Sequence, residues 1–270
     1  MIDSNKNLTF WNNAAKTTIN RTEFAGMLME GREFEAIYRC RAEQKHFLQF
    51  CLLKKNMSVI EIGSGGGRWG FFFADKIKSY IGLDISHEMV KNAIIERDRR
   101  RLQNIEFICS DFLEFNSDEK FDIVYFSGVL QYMDDDVVLK SIKKASLLLK
   151  QDGIIISRDT IQTEKRVEKN SEYPVVYRLG KEYIELFKRE HFNLQYSEIS
   201  FPHKRFTNLS NRIYKLPFIN YFIAYLFREL LCFFDNILGN PDFLKTKELI
   251  SSLSDNNIQE HRFFKYVRIK

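Results

Sequence analysis

The sequence predicts an α/β fold: a doubly wound, mostly parallel sheet of seven strands with helices on both faces. Three observations carry this expectation. Residues 59–67 form an apolar run with an acid and then glycines at alternate positions, Glu61-x-Gly63-x-Gly65-x-Gly67. Three more apolar runs follow at strand–helix–strand spacing, Ser79–Asp84, Ile105–Asp111 and Phe121–Phe126. Asp84, at the end of the second run, stands 21 positions after Gly63, and Asp111 closes the third.

In chain order, the first 55 residues read as helices. Glu33–Leu53 places Phe34, Ile37, Tyr38, Cys40, Phe47, Leu48, Cys51 and Leu52 mainly along one face. Strand and helix then alternate from Met57 to Ser157. Val137–Lys150 carries apolar residues at helical spacing, Asp152-Gly153 ends that helix, and Ile154–Ser157 begins a fifth strand. Lys181–Glu190 is expected as a helix, Phe192–Ile199 as the sixth strand and Phe263–Ile269 as the last. Between these strands, Ser200–Arg262 far exceeds ordinary loop length and is rich in Phe and Tyr. It is expected to be a helical insertion, serving as a substrate cap or an oligomer face. The organisation is thus one domain over residues 1–270. It has a helical cover (1–55), a cofactor-binding core (56–200 and 263–270) and the insertion (201–262).

Composition narrows the classes of function. A net charge of +5 permits an anionic partner without demanding one. The basic run Arg97–Arg101 suits a solvated helix end. Basic and aromatic residues do not interleave into a nucleic-acid track, so no nucleic-acid partner is expected. The four cysteines are scattered, which fits a reducing, cytoplasmic compartment and argues against a disulfide framework. The five histidines show no metal-ligand spacing, so no metal is expected. The polar N-terminus shows no secretory signal, and the apolar stretch Leu216–Phe234 is interrupted by Pro217, Asn220, Arg228 and Glu229. No transmembrane segment is expected, although the aromatic insertion would suit a protein peripheral to a membrane.

A strand that breaks into glycines and opens a helix brings backbone close to a ligand and points free N–H groups at it. An acid at a strand's carboxyl end can accept two hydroxyl protons from a ribose in charge-assisted bonds. With Asp111 and the Phe121–Met133 segment in place, the chain resembles the class I S-adenosylmethionine-dependent methyltransferases, which share a Rossmann-like sheet. Residues Glu61–Gly67 resemble the family's first motif, Asp84 its ribose-binding acid, and Asp111 the acid beside the adenine. Phe121–Ser127 resembles the strand that borders the methyl donor. The resemblance spans about Leu53–Ser157. It extends more weakly over Tyr177–Ile199, where Tyr177-Arg178, Glu182-Tyr183 and Leu186-Phe187 are similar to sugar and small-molecule methyltransferases. It implies S-adenosylmethionine as cofactor, held by Glu61, Gly63, Ser64, Gly65, Gly67, Asp84, Ile85, Met89, Asp111, Phe112, Ser127 and Leu130. Helix capping is the competing role for Asp84 and Asp111, and capping of its own turn for Glu61.

Two other classes stay open at this point. Gly65-x-Gly67-x-x-Gly70 also matches a dinucleotide fingerprint, which would make an NAD(P)-dependent oxidoreductase, although no Tyr-x-x-x-Lys pair accompanies it. A non-catalytic protein that retains the cofactor fold is the other. Under the methyltransferase assignment the acceptor is expected to be small, most readily an oxygen of a sugar or natural-product metabolite, with a lipid-linked glycan a further option. Relatives often carry a histidine after the Val-Leu of the fourth motif; here Gln131-Tyr132 follows Val129-Leu130. The catalytic candidates are therefore His203, Asp159 and Tyr132. For these, a surface loop position, pairing with Arg158 and packing over the cofactor are the respective alternatives. Trp11 is a candidate to close over the cofactor, Arg68 and Trp69 share its ambiguity, and a homodimer through 201–262 is conceivable.

Overall fold

The computed structural model describes residues 2–17, 22–27, 33–201 and 259–269. Helix α1 (Ser4–Thr17), a 3₁₀ turn (Thr22–Met27) and α2 (Glu33–Phe50) precede β1 (Ser58–Ile62). Then follow α3 (Arg68–Phe73), β2 (Ser79–Asp84), α4 (His87–Arg99), β3 (Ile105–Cys109) and β4 (Phe121–Ser127). After them come α5 (Asp135–Leu148), β5 (Leu149–Gln162), β6 (Val167–Lys169), β7 (Val175–Tyr177), α6 (Gly180–Arg189), β8 (Phe192–Phe201) and β9 (Gln259–Arg268).

Seven strands form one sheet in the order β3-β2-β1-β4-β5-β9-β8, while β6 and β7 form a separate ribbon. The first five pair in parallel, and β9 runs antiparallel between β5 and β8. β1 is buried along its whole length, because helices cover both faces of the sheet. The strand order reverses between β1 and β4, so their carboxyl ends leave a crevice where open α/β sheets bind ligands.

Two apolar layers flank the sheet. Under α5 and α6, Phe126, Val138, Ile142 and Phe187 pack together, with Phe187 stacked on Tyr266 at 3.7 Å. On the opposite face Phe47 of α2 sits among Trp69, Phe73, Tyr125 and Phe263 at 5.3–6.0 Å between ring centres. Trp69 is thus a core residue. The expected apolar face of α2 holds for Cys40 and Phe47, but Leu48 and, just beyond the helix, Leu52 are 45% and 75% exposed.

Three differences from the sequence expectation have local causes. Helix α5 stops at Leu148, two residues early, and β5 begins at once, so Asp152-Gly153 lies inside a strand. A Cβ on Gly153 would stand 3.0 Å from the Phe121 carbonyl oxygen, so glycine here permits close approach of β4 beside the register shift between Phe121 and Ile123. The last strand starts at Gln259 rather than Phe263, since its extension pairs with an equally extended β5. The β6–β7 ribbon is too short to show a period in the sequence. The helical insertion expected over 201–262 lies, apart from Phe201 and residues 259–262, outside the described residues. Among the described residues no helix is long and apolar enough to cross a membrane.

His191 follows α6 at φ 61°, a left-handed position normally given to glycine. His191→Gly is expected to raise stability by up to about 1 kcal/mol, because relief of backbone strain exceeds the extra freedom of the unfolded chain. Thermal melts of both proteins check this, and an unchanged or lower melting temperature would refute it.

Candidate functional site

The glycine loop turns on three left-handed residues, Gly63, Gly65 and Gly67, at φ 78°, 52° and 89°. The N–H groups of Gly63 and Ser64 both donate to the Leu83 carbonyl, at 2.8 and 3.0 Å, which ties the loop to β2. A Cβ on Gly63 would lie 2.9 Å from Val129 Cβ, whereas one on Gly65 would meet nothing within 4 Å. Gly65 therefore opens onto free space, while Gly67 is closed off by Phe107, 2.6 Å from its would-be Cβ.

That space is a cavity of about 430 Å³ over the carboxyl ends of β1, β2, β4 and β5. Ten of the twelve expected cofactor residues line it; Gly67 and Leu130 do not. Gly67 packs on Phe107 at the start of α3, and Leu130 is fully buried in the core beneath α5.

Asp84 is no helix cap. Its two carboxylate oxygens accept the Gly65 and Ser86 N–H groups at 2.8 and 2.9 Å, while Ser86 caps α4 by accepting from Met89 N–H. Each Asp84 oxygen keeps a lone pair for a further donor, and burial pushes its pKa up. Asp111 lines the cavity and accepts the Leu113 N–H at 2.7 Å within a turn; no helix stands between β3 and β4, so the helix-capping alternative does not apply to it. Glu61 is fully buried, and Tyr80 donates its hydroxyl proton to it. Burial raises the Glu61 carboxyl to about 7, against the opposing pull of Tyr80 and Arg68. Its other oxygen and the Ser64 hydroxyl are buried at the cavity wall without a hydrogen-bond partner among the described residues.

Beyond Ser127 the cavity continues over β5 and β9. Arg158 and Thr160 of β5 point into it, and by strand alternation Asp159 points to the opposite face, near Tyr183 and Tyr266. Asp159 is fully buried there, raised to about 7 by burial against the pull of Arg158 and Arg178. It does not pair with Arg158, whose guanidinium bonds Glu43 of α2 instead. Tyr132 lines the cavity and meets Trp11 of α1 edge-on at 5.5 Å, and Trp11 lines the cavity as well. The Ile2 N–H donates to Asp134 at 2.8 Å and the Ser86 hydroxyl donates to Asn12 Oδ1 at 2.7 Å, which docks the N-terminal helix. His203 lies outside the described residues.

Sequence reasoning missed two groupings on this side. Glu43 meets Arg39, Arg68 and Arg158, three cations from three separate elements, and no motif links them. Thr160 lies 2.9 Å from His261 Nδ1, and its N–H donates to Gln131 at 3.0 Å, bringing β9 and the turn after β4 to one wall. Arg178, noted only as part of a resemblance, is fully buried and bonds Asp135 and the carbonyls of Leu130 and Met133 at 2.6–2.9 Å. It fixes the turn that presents Gln131 and Tyr132.

An acid at the end of β2, an open glycine turn after β1 and buried acceptors without partners among the described residues thus face one cavity. The chain belongs to the methyltransferase domain family, which matches residues 53–190. Among curated proteins it is 28% identical over 156 residues to phosphoethanolamine N-methyltransferase 3 of Arabidopsis thaliana, covering 57% of this chain and 31% of that protein. It is also 28% identical over 130 residues to an uncharacterized methyltransferase of Bacillus subtilis, covering 47% of this chain and 45% of the relative. The matched part of the chain thus spans less than half the length of either relative. Among solved structures, a phosphoethanolamine N-methyltransferase 1 from Haemonchus contortus, with phosphoethanolamine and S-adenosylhomocysteine, superposes with TM-score 0.63 at 16% identity. That match covers 97% of this chain and 48% of the other. The [4+2]-cyclase SpnF superposes with TM-score 0.60 at 14% identity, covering 87% and 82%, so the fold by itself does not fix the reaction.

The family's cofactor is S-adenosylmethionine, and the residues present fit it. Glu61 and Ser64 would offer buried acceptors to an amino-acid portion, Asp84 a carboxylate to a ribose diol, and Asp111 an acceptor to an adenine amino group. When bound, the cofactor supplies an already activated methyl group on a sulfonium. Gly65 would give its chain room, Ser127 would border its donor end, and Trp11 and Tyr132 would stand over it against water.

Proposed function

We propose that this chain transfers the methyl group of S-adenosylmethionine to a small polar acceptor bound over β4, β5 and β9. The observation that carries it is the Asp84 carboxylate, anchored by Gly65 and Ser86 N–H groups and facing the cavity next to a glycine turn with room for a ligand. Family membership favours methyl transfer over the dinucleotide alternative. The protein's part is to align the acceptor in line with the methyl group and exclude water. An oxygen acceptor of a sugar or natural-product type would also draw on a base within hydrogen-bond reach. Tyr132 and His261 line the acceptor side, whereas Asp159 faces away from it. A nitrogen acceptor is the second possibility, supported by relatives described as N-methyltransferases of phosphoethanolamine and tetrahydroprotoberberine. A cytoplasmic setting, peripheral to a membrane or not, and a homodimer through 201–262 belong to the same proposal.

Calorimetric titration with S-adenosylhomocysteine, with NADH in parallel, tests it. Micromolar binding of the first alone is the expected result. Binding of NADH alone, or failure to turn over the donor with any oxygen or nitrogen acceptor of a broad panel, would count against it.

A further inference from the structure

Glu61 is a buried acid without a counter-charge in contact. It lines the cavity, its side chain is fully buried, and one of its carboxyl oxygens has no hydrogen-bond partner among the described residues. The other oxygen accepts the Tyr80 hydroxyl proton. That contact depends on a missing side chain. Gly82 stands opposite Glu61 in the parallel register, and a Cβ there would lie 2.7 Å from the Tyr80 hydroxyl oxygen. Tyr80, two residues earlier on β2, thus fills the space that Gly82 leaves open. The same Cβ would lie 2.8 Å from the Ser64 Cβ, and the Ser64 hydroxyl is likewise buried without a partner among the described residues.

The groups that face Glu61 from neighbouring elements do not neutralise it. From β2 come Asp84, a second acid, and Tyr80, whose phenol is held protonated by burial and by Glu61 itself. From β4 come Ser127 and the buried phenol of Tyr125. From α3 comes Arg68, which bonds Glu43 Oε2 at 2.8 Å and pulls on Glu61 only from further away. Glu23, Arg39, Asp111, Asp134 and Arg158 are the other charged groups of the cavity wall besides His261. Among the described residues no ion pair reaches Glu61. A buried carboxylate with one neutral donor and no cation in contact is costly, so the acid keeps its proton where an exposed one has lost it. Burial accordingly raises it to about 7, against the pull of Tyr80 and Arg68.

A cation placed against the unpartnered oxygen would reverse this balance, because a close opposite charge favours the carboxylate. S-adenosylmethionine and S-adenosylhomocysteine both carry an ammonium on their amino-acid portion. We propose that Glu61 is a proton-linked receptor for that ammonium, standing as the neutral acid in the free protein and ionising when the cofactor binds. The O–H bond of the carboxyl breaks, the proton passes to solvent, and an ion pair replaces the lone acid. The inference rests on the methyl-transfer proposal for the identity of the ligand. It makes cofactor affinity depend on pH: full above the titration of the carboxyl, and falling about tenfold per pH unit below it.

The probes are S-adenosylhomocysteine and methylthioadenosine, which shares the adenosine but lacks the amino acid, each titrated into the full chain. Calorimetry at about pH 6 in two buffers of different ionisation enthalpy is expected to show close to one proton released with S-adenosylhomocysteine and markedly less with methylthioadenosine. From about pH 7.5 to about pH 5, affinity for the first is expected to fall at least tenfold more than affinity for the second. Any titration of Asp84 or Asp111 against the adenosine is common to both ligands and drops out of the comparison. Glu61→Gln keeps an acceptor for the Tyr80 hydroxyl, and binding of methylthioadenosine reports its fold. It is expected to lose both the excess proton release and the excess pH dependence. Equal release with the two ligands, no release, or an excess that survives in folded Glu61→Gln would each overturn the proposal. If that variant does not fold, the two-ligand comparison on the wild type decides. Failure of S-adenosylhomocysteine to bind at any pH would remove the methyl-transfer proposal and this one together, whereas binding without excess proton release would remove this one alone.

Discussion

Asp84→Asn is expected to weaken S-adenosylhomocysteine binding at least 100-fold while the protein remains folded. Asparagine keeps the volume of the side chain and one carbonyl acceptor for the Gly65 or Ser86 N–H groups that Asp84 now holds. It loses the charge, and it turns an NH₂ toward groups that already donate. Charge-assisted hydrogen bonds contribute about 1.5–3 kcal/mol each, so losing two amounts to about 3–6 kcal/mol, or two to four decades in affinity. Calorimetry reads the affinity and a thermal melt checks the fold. Wild-type affinity in a folded variant would remove Asp84 from the cofactor site.

Asp159→Asn is expected to stabilise the protein at pH 8 by as much as about 4 kcal/mol, and to change little at pH 4. The carboxyl titrates near 7 when folded, against an ordinary 3.8, because burial disfavours its charge. The folded state thus keeps a proton that the unfolded state releases between about pH 4 and 7. The carboxyl's effect on stability becomes more unfavourable as pH rises through that window and levels off above it. Three units correspond to about 4 kcal/mol, and asparagine, never charged, removes the whole dependence. For a chain of this size that is a rise in melting temperature on the order of 10 °C at pH 8. Denaturation series at both pH values read it directly. An equal offset at pH 4 and pH 8 would show that the carboxyl is not protonated in the folded state.

The donor half of the site was legible because its signals are local. A strand buried on both faces must be an unbroken apolar run, a tight turn must use glycine, and an acid at a strand end has one natural use at that edge. Asp84, Gly63 and Gly65 could be found from one short window each. The cluster around Glu43 follows different rules. Glu43, Arg68 and Arg158 come from α2, α3 and β5 and meet only through the sheet's order, which spacing does not reveal. Asp159 shows a related blind spot. In a strand covered on both faces neither set of alternate residues is marked as solvent-facing, so nothing in Ser157-Arg158-Asp159-Thr160 tells which side chains meet the cavity. Leu130 and Gly67 match cofactor motifs by position, yet pack into the interior; a motif records a backbone path more reliably than a contact.

The way β8 and β9 frame residues 202–258 has a consequence for diversification. Phe201 stands opposite His261 in register, and Gln259 lines the cavity, so the described strand ends on either side of 202–258 lie beside the cavity wall formed by β5 and β9. The glycine turn and Asp84 lie on the far side of β4, with no strand shared. Insertions, deletions or wholesale replacement between those two points would therefore reach the acceptor wall first and leave the β1–β2 edge unstrained. A lineage could exchange what it methylates as a cassette and keep the donor apparatus as a fixed chassis.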